Sequence, residues 1–227
     1  MIYSEIIMVK TTSGIWRICS LLVALACAVP VSLYAQERDF TTWASAGFKY
    51  KVKPAFTLSG NLEWRTKENL DKTDRWGVDV GGTYTVCPFL KVGAGYEVHY
   101  RNRGGAGWKF RHRYRFDGTL STRVQRLKVS LRERFQHTLE RSDDELYWRS
   151  RIKLAYDIPR CKIEPYASVE MYNGLNRGER FDVQRMRYRG GVTLPLSSDW
   201  EADIFYCRQW ESKARKDIVG VACTYTF

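Results

Sequence analysis

Apolar and polar residues alternate along most of this chain, beginning at residue 40 and continuing to the last residue. Tyr96, Val98 and Tyr100, for example, alternate with Glu97 and His99. A period of two residues indicates β-strands with one apolar and one polar face. The sequence predicts eleven strands, at residues 40–52, 55–67, 75–86, 89–101, 109–122, 127–139, 145–157, 161–173, 183–195, 199–210 and 216–227.

The connections between these segments alternate in length. Tight turns are predicted at 53–54, 87–88, 124–125, 159–160 and 197–198, and longer polar loops at 68–74, 102–108, 140–144, 174–182 and 211–215. Short turns at one end and long loops at the other are typical of outer-membrane barrels. No linker or low-complexity stretch interrupts the series, which predicts one barrel domain.

A leader precedes the alternating region. A weakly basic stretch from Lys10 to Arg17 is followed by an apolar run to about Val31 and by the small residue Ala35. This order is that of a secretory signal peptide, so we expect residues 1–35 to be cleaved and residues 36–227 to form the barrel. A membrane anchor, or a lipoprotein cut before Cys27, is an alternative interpretation of the same stretch. Export would place the protein in the outer membrane of a Gram-negative cell.

The direction of the apolar face separates a soluble barrel from a membrane barrel. Aromatic residues lie at the ends of the apolar faces, as Trp76 and Tyr84 do, which predicts aromatic girdles rather than a packed core. The last strand closes on Tyr225 and Phe227, which resembles the assembly signal of outer-membrane barrels. The expected partners are therefore the lipid bilayer, lipopolysaccharide and the barrel-assembly machinery.

Rows of basic residues occupy the polar faces. An Arg facing lipid at the membrane midplane costs about 2–4 kcal/mol, so these rows are expected to face the lumen. The predicted lumen basic residues are Arg111, Arg113, Arg115, Arg132, Arg134, Arg149, Arg151, Lys153, Arg185, Arg187 and Arg189. The predicted acidic partners are Glu63, Asp79, Glu97, Asp117, Glu164, Glu170, Glu201 and Asp203.

Two residues fit this assignment poorly. Glu133 falls on the lipid face near the middle of its strand, which predicts a bulge or a register shift close to it. His112 also falls outward, near a strand end.

The predicted fold is an all-β, up-and-down antiparallel transmembrane β-barrel of 10–12 strands with short periplasmic turns and longer outer loops. Antiparallel closure with both ends in the periplasm requires an even number of strands, whereas eleven segments are visible. Either the first segment lies partly outside the barrel, or a strand has been missed, or an odd count closes through a parallel seam.

Four short motifs resemble a known family. They are LEWRT at 62–66, RHRYRF at 111–116, PYASVE at 165–170 and RYRGGV at 187–192. The resemblance covers nearly all of residues 40–227 and is to an outer-membrane family of Bacteroidota, domain of unknown function 2490. It implies a barrel of similar size and no catalytic residues, because the family has no assigned activity.

The basic lumen has several interpretations. Small barrels fill their interiors with interlocked Arg–carboxylate pairs, which would make the barrel structural or leave interactions to its loops. A surplus of Arg along a narrow, porin-like lumen would instead form an anion-selective channel for small acidic solutes. An outer-membrane lipid-modifying enzyme would use His112 or His137 with Ser142 or Ser150 at the rim, but no motif links them.

Other classes are disfavoured. The formal net charge is +12, but the basic residues alternate through strands and do not cluster with stacking aromatics, so no nucleic acid is expected. The sequence contains no CxxC and no Cys/His cluster, so neither metal nor cofactor is predicted. The four cysteines after the leader, at 87, 161, 207 and 223, form no compelling disulfide pair.

Overall fold

The computed structural model describes residues 37–140, 144–176, 178, 181–212 and 214–227, so the predicted signal peptide lies outside the described residues. The described chain forms a closed barrel. Its strands are β1 (Glu37–Lys53), β2 (Phe56–Lys67), β3 (Lys72–Cys87), β4 (Leu90–Asn102), β5 (Trp108–Val124), β6 (Leu127–Leu139), β7 (Glu145–Tyr156), β8 (Glu164–Gly174), β9 (Val183–Pro195), β10 (Trp200–Glu211) and β11 (Ala214–Thr226). One 3₁₀ turn, Gly104–Ala106, is described between β4 and β5.

Each strand pairs in antiparallel fashion with the next one along the chain, so the predicted up-and-down barrel is confirmed. The closure is different, because β1 pairs in parallel with β11, from Glu37 opposite Ala214 to Lys49 opposite Thr226. The eleven strands therefore close through a parallel seam. Glu37 and Phe227 therefore lie at opposite rims, which corresponds to the third of the alternatives left open by the eleven segments.

We call the rim that carries connections 68–71, 103–107, 140–144, 175–182 and 212–213 the loop end, and the other rim the turn end. The alternation of connection lengths is less regular than predicted. The chain spans residues 157–163 between β7 and β8, where a tight turn was expected, whereas only residues 212 and 213 separate β10 from β11. The β3 strand begins at Lys72, earlier than predicted, because a bulge opposite Arg65 and Thr66 lets the pairing continue.

Burial in this barrel is inverted relative to a soluble protein. Among the described residues, six apolar and thirteen polar or charged ones are buried, including Arg111 at 2% exposure. Large apolar side chains such as Val80 and Phe110 are 53% and 62% exposed on the outside. A polar interior inside an apolar exterior is the arrangement of a membrane barrel. No helix of the described residues is long and apolar enough to cross a membrane.

Outward aromatic side chains pair near both rims. Trp64 and Trp76 pack toward the loop end, with ring centroids 6.2 Å apart. Trp200 and Tyr225 pack toward the turn end, with centroids 5.0 Å apart. This distribution agrees with the predicted aromatic girdles.

Glu133 faces outward without any bulge in β6, so the predicted irregularity is wrong. The registers of β6 with β5 and β7 run through it unbroken. Its carboxylate accepts hydrogen bonds from Trp148 Nε1 and Ser150 Oγ, both at 2.6 Å. Hydrogen bonds from these two side chains thus compensate the loss of water around the Glu133 carboxylate, and no bulge is needed to turn it inward.

Candidate functional site

The barrel encloses a cavity of about 390 Å³. Its wall includes thirteen Arg or Lys side chains and seven Asp or Glu side chains. Apart from Asp74, which lies at a bulge, they come from alternate residues of neighbouring strands, because a strand presents every second side chain to one face of the sheet. Among the described residues, the cavity wall therefore has six more cationic than anionic side chains.

Glu170 is the centre of the largest ion-pair cluster. Its carboxylate lies 2.6 Å from Arg132, 3.0 Å from Arg149 and 3.6 Å from Arg187. Tyr172 donates its hydroxyl to the same carboxylate at 3.3 Å. Arg132, Glu170 and Arg187 come from β6, β8 and β9, so this cluster braces the barrel wall across several strands.

A second cluster braces the wall from β2 to β6. Glu97 lies 2.8 Å from Arg113 and 3.5 Å from Arg115, and Arg115 also lies 2.7 Å from Asp79. The remaining pairs of this wall are Glu63 with Arg65 and Arg75, and Asp117 with Arg134. Four of the predicted acidic partners thus contact basic residues here.

The other predicted acidic partners lie nearer the turn end. The carboxylate of Glu164 forms a salt bridge with the ammonium group of Lys128. Asp203 accepts a hydrogen bond from the Tyr166 hydroxyl at 2.9 Å. Glu201 is exposed, and the described residues give it no ion pair within 4.0 Å.

Acidic residues at the loop end were missing from the predicted set. Glu140 and Glu145 each lie 2.7 Å from Arg111, and Glu211 lies 2.8 Å from Arg185. Glu140 and Glu211 continue the inward alternation of β6 and β10, so extending the period by one residue would have found them. Asp74, which lies 3.3 Å from Arg101, sits at the bulge of β3, where alternation gives no guidance.

Three cations of the predicted rows, Arg151, Lys153 and Arg189, have no carboxylate within 4.0 Å among the described residues. Lys153 and Arg189 both lie opposite Ser168, which places them in one row across β7, β8 and β9. Their charged groups rest on aromatic faces: Lys153 Nζ is 3.9 Å from the Tyr166 ring centre, and Arg189 Cζ is 3.9 Å from that of Phe205. Such cation–π contacts hold the side chains without cancelling their charge.

An apolar strip lines the lumen beside the seam. Phe205, Cys207 and Ile218 are buried there, and Trp43 packs edge-on against Phe205 with ring centroids 6.4 Å apart. A Cβ on Gly220 would overlap the Phe205 ring, so glycine at this position leaves room for the ring. Arg65 lies over the Trp43 ring at 3.5 Å, which brings guanidinium groups up to the strip.

Among the described residues, the side chains suggested for an enzyme contact other groups rather than one another. The hydroxyl of Tyr96 lies 2.6 Å from His112 Nδ1, and His137 Nε2 lies 3.7 Å from Asp144. Ser150 donates to Glu133, and Ser142 lies outside the described residues. Within the described residues, no group of three or more His, Cys, Asp or Glu side chains could hold a metal ion.

The predicted assembly residues Tyr225 and Phe227 lie at the turn end of the seam. The Phe227 ring contacts Tyr225, Tyr50 and Phe48, with centroid distances of 4.6, 6.2 and 6.4 Å. Its backbone N–H donates to the carbonyl oxygen of Lys49 at 2.9 Å. The last residue is thereby fixed to β1.

Comparison with known proteins supports both the family and the fold. Residues 40–219 match the family described as "Protein of unknown function (DUF2490)". A solved structure titled "KdgM porin" is similar at 14% identity, with a TM-score of 0.50 over 80% of this chain and 89% of that one. Another, titled "NanC porin structure in rhombohedral crystal form", is similar at 12% identity, with a TM-score of 0.52 over 78% of this chain and 90% of that one. No curated protein matches the chain.

Proposed function

We propose a channel function for this chain, which belongs to the family described as protein of unknown function DUF2490 and has a porin-like barrel fold. The barrel conducts small anions selectively through its lumen. The observation that carries this proposal is the composition of the cavity wall, with thirteen cationic side chains and seven anionic ones. The solutes that fit this chemistry are small carboxylates, sulfates and phosphates.

The surplus of positive charge is available to a solute because some of the lumen cations have no neighbouring carboxylate to neutralise them. Eight of the eleven residues in the predicted basic rows lie within 4.0 Å of a carboxylate, whereas Arg151, Lys153 and Arg189 do not. Two unit charges 4 Å apart interact by about 1 kcal/mol in bulk water and by about 4 kcal/mol near a protein surface. An anion therefore gains more from these three side chains inside the narrow lumen than it would in bulk water.

The proposed location is the outer membrane, reached after cleavage of the signal peptide behind Ala35. The apolar exterior and the two aromatic girdles support this placement. In a cell fractionation, the mature chain should begin at Gln36, sediment with the outer membrane and migrate differently on a gel before and after heating. Recovery in the soluble periplasm would contradict the proposed location.

Charge reversal at the unpaired cations tests the proposed selectivity. K153E/R189E should shift the ion preference from anions toward cations, with the largest effect at low salt, because salt screens the lumen charges. These positions suit the test better than Arg113 or Arg187, which contact Glu97 and Glu170 and whose reversal would break ion pairs. An unchanged ion preference in a folded K153E/R189E barrel would contradict the proposed role of the surplus.

R126E/R160E provides a matched control for that experiment. Arg126 and Arg160 are exposed in turn-end connections, outside the strands that form the lumen wall, whereas Lys153 and Arg189 lie within β7 and β9. The same reversal of charge at these positions should leave the ion preference close to that of the wild type. A shift as large as that of K153E/R189E would mean that overall charge, and not the lumen row, sets the selectivity.

A second candidate function is a non-conducting, braced barrel that acts through its loops. The ion pairs of Glu170 favour it, because three guanidinium groups around one buried carboxylate occupy space in the lumen. In that case wild-type protein would show no steady current. K153E/R189E would then change thermal stability alone.

A further inference from the structure

The exterior of the barrel is almost free of charge. If the bulged strand ends are set aside, the outward residues of the described strands include five Asp, Glu, Lys or Arg side chains. One is Glu133, whose carboxylate is satisfied by its neighbours. The other four, Arg38, Arg208, Arg215 and Asp217, lie together across β1, β11 and β10, and we call them the seam patch.

The seam patch is held together by Asp217. Arg208 Nε donates to its carboxylate at 2.9 Å, and Arg215 lies 3.4 Å from its other oxygen. Tyr206 donates its hydroxyl to Asp217 at 2.5 Å. Arg38 lies opposite Arg215 across the parallel seam, so the patch contains three guanidinium groups and a single carboxylate, which contacts two of them.

Two donors in this region have no acceptor. Arg215 Nε and Trp210 Nε1 are buried, and the described residues offer neither of them a hydrogen-bond partner. Trp210 and Arg215 face each other in the register of β10 and β11. Arg38 is exposed and has no carboxylate within 4.0 Å among the described residues. A ligand that suits this set carries negative charge and several acceptor oxygens.

The seam patch lies toward the loop end, since Arg38 and Arg215 are the second residues of β1 and β11. The cost of an outward Arg falls from about 2–4 kcal/mol at the bilayer midplane to about 0–1 kcal/mol near the interface. Trp210 packs edge-on against Tyr188 beside the patch, as aromatic residues do at headgroup level. The patch therefore meets lipid headgroups rather than acyl chains.

We propose that the seam patch binds a phosphate group of a glycolipid in the outer leaflet. Guanidinium groups recognise phosphate oxygens through paired hydrogen bonds, and a phosphate at Arg38 and Arg215 would offset the excess of positive charge. This proposal rests on the outer-membrane placement proposed above, with the loop end outward. It does not depend on conductance through the lumen.

Binding of purified lipid A to the refolded barrel tests the site. Native mass spectrometry over a series of lipid A concentrations gives the apparent affinity of each variant. R208Q/R215Q should weaken binding of bisphosphorylated lipid A by about tenfold or more, because it removes charged hydrogen-bond donors. R208K/R215K, which retains the charge, should bind more tightly than the Gln variant. With dephosphorylated lipid A, wild type and R208Q/R215Q should bind equally.

R38Q is a second test that leaves the Asp217 ion pairs in place. The site can therefore still be tested if R208Q/R215Q fails to fold. R38Q should also weaken binding, whereas R126Q/R160Q in the turn-end connections should not. Equal lipid A binding by wild type and R38Q would overturn the site. If these variants weakened the binding of phosphatidylglycerol as much as the binding of lipid A, the assignment to a glycolipid would be overturned. A wild-type chain that never shows heat-modifiable migration would instead contradict the membrane placement itself.

Discussion

Glu170 shows, at the scale of a single residue, how a charged interior is stabilised. Its side chain is 6% exposed and is contacted by Arg132, Arg149 and Arg187. Each guanidinium group alone would carry a high desolvation penalty in the lumen. One carboxylate therefore offsets the burial of several cations, and the cluster holds β6, β7, β8 and β9 in register.

Glu170→Gln should lower the free energy of unfolding by about 3–5 kcal/mol, because it leaves buried guanidinium groups without their counter-charge. Glu201→Gln is the matched control, since Glu201 is exposed and unpaired among the described residues, and it should change stability by about 0.5 kcal/mol or less. Denaturant unfolding of both variants in detergent micelles checks this. Equal stability of the two variants would mean that the Glu170 cluster does not brace the barrel.

The seam is the element that distinguishes this barrel from an even-stranded one. Two parallel strands meet there, and β1 and β11 are paired over thirteen positions, from Glu37 with Ala214 to Lys49 with Thr226. At its turn end, the rings of Phe48, Tyr50 and Tyr225 surround Phe227. The last residue therefore contributes to closure of the barrel as well as to the predicted assembly signal.

Phe227→Ala, or deletion of residues 225–227, should reduce the fraction of chain that folds into the heat-modifiable form. The physical reason is the loss of the aromatic contacts that join β11 to β1. Phe89→Ala removes an exposed aromatic ring in a turn-end connection and should fold like the wild type. Normal surface assembly of the truncated chain would contradict a role of this cluster in closure.

The register of β10 and β11 also makes a prediction for the cysteines. Cys207 lies opposite Ile218 and is fully buried in the lumen, whereas Cys223 lies opposite Ala202 on the outer face. Their Cβ atoms diverge, so no disulfide should join them. A non-reducing digest should yield these peptides separately, and a thiol reagent should modify the exposed Cys161 faster than Cys207. A crosslinked Cys207–Cys223 peptide would show that the register is different.

For the molecule as a whole, the alternating sequence was sufficient to predict the fold class and which face of each strand lines the lumen. It left the parallel seam as one of three alternatives, because pairing between the first and last strands leaves no local signal. The bulge at Asp74 breaks the period, and the partner of Arg101 was missed for that reason. The expected bulge at Glu133 was wrong because donors on the next strand, Trp148 and Ser150, satisfy it laterally.

The loops limited prediction of the candidate site as well. Glu140 directly follows β6 and Glu211 is the last residue of β10, and both lie one residue beyond the predicted strand ends. They were missed for that reason, although they contact Arg111 and Arg185. The unpaired state of Arg151, Lys153 and Arg189 depends on side-chain distances across several strands. The spacing of residues along the sequence does not show which lumen cations have a carboxylate nearby.

We propose that the surplus of lumen cations makes the barrel an anion channel. The most direct test is the reversal potential of refolded wild-type protein in a planar bilayer that separates two KCl concentrations. We expect a steady conductance whose reversal potential has the sign of a chloride-selective pore, and the selectivity should weaken as both salt concentrations rise. A folded protein that is silent at every voltage and salt concentration tried, or a reversal potential of the sign set by potassium, would contradict the claim.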